Sequence, residues 1–219
     1  MHWLYDLAAG PLAWFAFGVF FVGLAIRFVH LLWLTAAKDP MPLNYFSFKY
    51  GFRSIAMWLV PYVARSWRRH PFLTAATFTF HICIFLVPVF LQAHVVLLNE
   101  SFGLRLWELP SDLADVLTLL VIACCVFFLA RRLRLPEVRY VTTAGDFVLL
   151  ALVGLPFLTG ILAYYQLFDY TFLVLAHILL SEAALVAVPF TRLSHMLLAP
   201  MIRAYMGSEF GGQRHAKDW

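Results

Sequence analysis

The 219-residue chain is 63% hydrophobic and only 13% charged, where a soluble domain is nearer half apolar and a quarter charged. Its 22 Phe and 7 Trp suit lipid contact and interfacial belts. This excludes an ordinary soluble domain and predicts one integral membrane bundle. A formal charge of +4, with the cations beside apolar runs, gives no sign of a nucleic-acid partner.

The expected fold class is all-α: five transmembrane helices plus an interfacial amphipathic helix. The first span covers 11–36, from Gly10-Pro11 to a stop at Lys38-Asp39-Pro40. No Lys or Arg precedes this run, so it reads as a mature helix and not as a secretory signal. Arg27 in its second half either snorkels to the interface or pairs with an anionic cofactor group. Residues 46–66 interleave Lys49, Arg53 and Arg65 with aromatic and aliphatic side chains, the pattern of an interfacial helix. The second span, 71–98, starts at Pro71 and carries His81, Pro88 and His94. The third, 112–131, opens on Asp112 and Asp115 and closes on Arg131-Arg132, matching the helix dipole. The fourth, 143–167, has Asp146 near its start. The fifth, 171–199, is expected to run unbroken, and the Gly-rich tail, 200–219, to be flexible.

The loops at 37–70 and 131–141, together with the tail, hold thirteen Lys and Arg, against Arg105 alone on the other side. By the positive-inside rule the N-terminus is outside and the C-terminus cytoplasmic, as five spans require. The cysteines, Cys83, Cys124 and Cys125, lie in apolar runs without metal or covalent-haem spacing, and read as small buried hydrophobes.

Of eight histidines, His2 and His215 are terminal, His70 is interfacial, and His30 is alone near a helix end. His81, His94, His177 and His195 fall inside apolar runs, two to a helix. His177 and His195 are 18 residues apart, which on one continuous helix is about five turns and ~27 Å, nearly a hydrocarbon core. Spans two and five run antiparallel, so depth pairs His81 with His195 near the inner face and His94 with His177 near the outer. Each pair suits axial ligation of one haem iron, giving two haems b. The interval from His81 to His94, 13 residues, puts them ~220° apart on a straight helix. A kink or bulge near Pro88 is therefore required, with His70 the alternative ligand on rotation alone.

Three stretches carry a family resemblance: Phe80-His81-Ile82 on to His94; Arg131-Arg132-Leu133-x-x-Pro136-x-Val138-Arg139-x-x-Thr142-Thr143-x-x-Asp146; and His177 through Val188-Pro189-Phe190-Thr191-Arg192-Leu193-Ser194-His195 to Pro200. Across spans two to five the chain resembles the membrane cytochrome b (gamma) subunit of respiratory nitrate reductase. Its variant pattern is similar to the cytochrome b subunits of sulfate-reducer transmembrane redox complexes, of the high-molecular-mass cytochrome c type. Ala114, between Asp112 and Asp115, stands where nitrate reductases have a quinone-site lysine. The resemblance implies five helices, two haems b with the same ligand pairs, and quinol chemistry near the outer haem. It further implies a cytoplasmic iron–sulfur partner, a periplasmic multihaem cytochrome c and further membrane subunits.

The reading that follows is a dihaem subunit in a bacterial inner membrane, carrying electrons across it, with menaquinone as substrate. Arg192, one helical turn before His195, and Arg27 are candidates to hold haem carboxylates. Asp112, Asp115 and Glu182 are candidate quinone-site groups, Glu182 as proton acceptor. A haem-free structural anchor for soluble redox subunits is the alternative.

Overall fold

The computed structural model describes residues 2–219 and contains helices and no strand among them. Five helices are long and apolar enough to cross a membrane: Trp3–Lys38, Pro71–Phe90, Ser111–Arg134, Ala144–Tyr164 and Tyr170–Ala187. Only 6–22% of each apolar window is buried within the chain. Side chains such as Phe21, Trp33, Val126 and Phe172 point outward, where only lipid or a partner can cover them. The chain is an all-α, multi-pass membrane protein.

We label the principal helices α1 (Ala13–Lys38), α2 (Phe48–Trp58), α3 (Pro71–Phe90), α4 (Gln92–Phe102), α5 (Ser111–Arg134), α6 (Ala144–Tyr164), α7 (Tyr170–Ala187) and α8 (His195–Met206). The first span begins earlier than Gly10-Pro11 suggested. A wide helical turn over Ala8–Leu12 absorbs Pro11 and joins α1 to His2–Leu7. The interfacial helix is shorter than 46–66. It stops at Trp58, ahead of Pro61 and of Tyr62 with φ +63°, because proline disfavours helical backbone before it.

Two further differences bear on function. The second span breaks at Leu91, whose φ −63° and ψ 131° are extended. α4 restarts at Gln92 and ends at Gly103, in the left-handed region at φ +69°. The kink needed near Pro88 is present, three residues later. The fifth span is not continuous: α7 ends at Ala187, Thr191 is extended, and a tight turn over Arg192–Ser194 leads into α8. Pro189 lacks the N–H that would continue the ladder. The Thr191 hydroxyl takes over, donating to Ala187 O (2.7 Å) and accepting from Leu193 N (3.3 Å). The five-turn phase relation between His177 and His195 therefore does not hold.

The chain divides into two units, Met1–Thr74 with Glu182–Trp219, and Ala75–Ser181. In the first, α8 and the wide turn after it (Gly207–Gln213) pack on α2. A methyl group on Gly207 would sit 2.6 Å from Ser54 Cβ, so only glycine permits this approach. The tail is pinned, not flexible. Half-buried Arg203 forms an ion pair with Asp218, stacks on Trp58 (4.4 Å), and donates to Ser54 Oγ (2.8 Å). Arg53 stacks on Trp219 at 4.9 Å. Elsewhere in this unit α1 meets the α7–α8 break, where a Cβ on Gly23 would lie 2.7 Å from the Pro189 ring.

In the second unit α5 and α6 pack along each other, and at Gly154 an added Cβ would lie 3.1 Å from Cys125 Sγ. The Thr143 and Asp146 side chains form a reciprocal cap that starts α6. The cysteines are free; Cys83 and Cys124 are buried and Cys125 partly so, as expected of packing groups.

Candidate functional site: four helix histidines

Each of the four histidines donates a ring N–H to a backbone carbonyl. His81 Nδ1 bonds Thr77 O (2.7 Å), one turn back on α3. His94 Nδ1 bonds Pro88 O (2.9 Å), across the break at Leu91. His177 Nδ1 bonds Pro156 O (2.8 Å) on the neighbouring helix α6. His195 Nδ1 bonds Arg192 O (2.9 Å), in the turn that opens α8. A carbonyl only accepts, so Nδ1 carries the proton in each ring. In a neutral imidazole the Nε2 lone pair is then left as the coordinating atom. This is the arrangement that orients metal-bound histidine.

His94 and His177 lie within one unit. The His94 and His177 rings have centroids 6.0 Å apart and planes 18° from parallel. Ordinary offset aromatic pairs span this distance too. With both lone pairs on Nε2, these two side chains are the ones that would hold an iron here. Both rings are partly buried. Gly160 makes room for one of them: a Cβ there would lie 3.1 Å from His177 Cε1 and Nδ1. The His94 and His177 donor set fits a bis-imidazole haem. Among the described residues no group of three or more His, Cys, Asp or Glu converges on a point, so a closed tetrahedral site is not built from these side chains.

His81 is half-buried on α3, in the second unit, and His195 is exposed at the start of α8, in the first. Both share the tautomer of His94 and His177. Arg192 is exposed, in the turn whose carbonyl orients His195. Arg27 is exposed on α1, and His70 is exposed just before α3.

The three acidic candidates separate. Asp112 is exposed in the first turn of α5. Asp115 accepts a 2.5 Å hydrogen bond from the Tyr165 hydroxyl, which holds that phenol above its ordinary range. Glu182 on α7 is 6% exposed, and neither carboxylate oxygen has a hydrogen-bond partner. A buried, unpartnered carboxylate is costly, and commonly marks a site that exchanges protons or contacts a ligand.

The chain is 40% identical over 215 residues to a protein of Nitratidesulfovibrio vulgaris (strain Hildenborough), covering 96% of this chain and 95% of the relative. It belongs to that protein's family. No family model matches the sequence, and no solved structure is similar to it.

Sequence reasoning missed Gly160, the Pro156 carbonyl and Tyr165. Gly160 and Pro156 are one helical turn apart, and together they seat one imidazole. A small residue one turn after a proline inside an apolar helix was the available signal.

Proposed function

We propose that this chain is a dihaem b membrane subunit of a respiratory redox complex. In this reading His94 with His177, and His81 with His195, would hold two haems b. The observation that carries it is the shared tautomer: four helix histidines, each with Nδ1–H on a backbone carbonyl, which puts the metal-binding lone pair on Nε2. When bound, haem supplies reversible one-electron exchange, and two imidazole ligands leave no position for oxygen chemistry.

The chain's residues do the rest. The backbone carbonyls of Thr77, Pro88, Pro156 and Arg192 fix ring orientation. The guanidinium of Arg192, and that of Arg27, supply charge for haem carboxylates. Glu182 accepts a proton as menaquinol is oxidised, a reaction that releases two protons and two electrons; its lack of a partner in the fold supports this role. Asp115, engaged by Tyr165, and exposed Asp112 are the further carboxylates this reading assigns to quinol. Thirteen cations on one side support a cytoplasmic C-terminus in a bacterial inner membrane. The pinned tail and α2 then offer a rigid cytoplasmic face for an iron–sulfur subunit. A periplasmic multihaem cytochrome c and further membrane subunits complete the path.

Replacing His94 or His177 with alanine should remove the same haem, leaving about one per chain, and the double variant should lose no more. Haem loss that adds in the double variant contradicts the pairing.

A further inference from the structure

A second charged feature has no part in the proposed haem or quinone chemistry. A cavity of about 380 Å³ lies where α5 ends and α6 begins, lined by Arg132, Leu133, Arg139, Thr142 and Phe147. The Arg132 side chain is turned into the protein, and its Nε is buried with no hydrogen-bond partner. Its Nη1 reaches the Thr142 hydroxyl at a long 3.4 Å. That hydroxyl gives its own proton to Val138 O (2.7 Å), so it meets Arg132 only as an acceptor. Arg139 contributes a second guanidinium from the short turn Pro136–Tyr140. The nearby carboxylates do not neutralise them. Asp146 is taken up capping α6 through Thr143, and Glu137 is exposed on the turn. Among the described residues neither Arg132 nor Arg139 has an ion-pair partner. A buried guanidinium donor with no acceptor is costly to the fold, and it points to a ligand that supplies the missing oxygens.

We propose that this cavity binds the phosphodiester headgroup of an anionic phospholipid. A phosphodiester offers one charge and two free oxygens, the set that arginine forks grip best. The other walls suit a lipid more than a free anion. Leu133 and Phe147 are apolar and line the cavity itself. Tyr140 and Val141, beside it, are 92% and 67% exposed, a surface fit for the glycerol and first acyl carbons. The position also agrees, because the cavity joins the ends of two membrane spans, the level at which headgroups lie. Basic pockets between spans are a recognised way to hold anionic lipid.

The test is native mass spectrometry on the membrane complex purified in mild detergent, titrated separately with phosphatidylglycerol and phosphatidylcholine. The wild type should retain phosphatidylglycerol about tenfold more tightly than phosphatidylcholine. R139Q changes only an exposed side chain and should lose much of that preference; R132Q/R139Q should abolish it. R134Q, exposed and outside the cavity, should keep it. Equal retention of both lipids by wild type, or an unchanged preference in R139Q and in the double variant, would overturn the proposal. Displacement of bound phosphatidylglycerol by equimolar inorganic phosphate would overturn it too, leaving a bare anion hole. So would loss of b haem from R139Q, since the arginines would then serve a haem carboxylate.

Discussion

After Pro88 the helical ladder stops over a single residue, Leu91, and resumes at once; around Pro189 it stops over Val188–Thr191 and re-forms only after a tight turn. Each break sets up the histidine that follows. Past the narrow break His94 reaches six residues back to the carbonyl of Pro88. Past the wide one His195 bonds the carbonyl of Arg192, three residues back. Proline denies one carbonyl its usual N–H partner and bends the chain, and irregular backbone leaves carbonyls for side chains to use. The two mid-helix histidines solve the same problem differently. His81 uses the carbonyl one turn back on its own helix, and His177 uses a neighbouring helix with Gly160 clearing the space. Four local structures thus arrive at one tautomer.

The largest effect expected from this comparison comes from removing both post-break histidines. H94A/H195A should abolish b haem, while H94A and H195A each leave about one per chain, counted by pyridine haemochrome. If the double variant keeps a haem, the ligands lie elsewhere.

A smaller loss is expected when the proposed proton acceptor, Glu182, goes. In E182Q, quinol oxidation should slow by about a hundredfold, the lower range for losing a general base, with haem content unchanged. A normal rate with a normal pH profile would remove Glu182 from the quinone site.

Crowding a ligand without deleting it should do less again. G160A places a methyl group 3.1 Å from the His177 ring, an overpacking that costs about 1–3 kcal/mol. The outer haem should be retained but dissociate faster, with a shifted reduction midpoint, while the inner one is unmoved. Equal shifts at both haems would show a global effect instead.

The smallest effect concerns Tyr165. Its hydrogen bond to Asp115 raises the phenol, so the link is complete at neutral pH and is lost as pH rises through the elevated range. An ultraviolet titration should show the Tyr165 and Tyr205 phenols ionising above the ordinary value of about 10, and D115N should return one of the two there.

Much of this was legible in the sequence, for identifiable reasons. Long apolar runs with charges at their ends gave the five spans, because lipid demands continuous backbone pairing. The helix-phase misfit between His81 and His94 required a break near Pro88, and one is there, though displaced to Leu91. The break around Pro189 escaped notice because Val188, Pro189 and Phe190 are as apolar as a helix interior. Hydropathy carries no sign of the N–H that Pro189 lacks, and two histidines five turns apart on paper belong to separate helices. The tail misled for a related reason. Gly207 and Gly211 suggested looseness, whereas they permit close packing on α2, and the Arg203–Asp218 pair joins residues fifteen apart. The seat for His177 depends on contacts between helices, which spacing along one helix does not reveal.

The central claim is tested most directly by a reduced-minus-oxidised visible spectrum of the purified membrane complex, with b-type haem quantified per copy of this chain. The account predicts two haems b per chain. A complex that retains this chain in full amount and has no b haem would contradict it, and would leave the structural anchor as the reading to pursue.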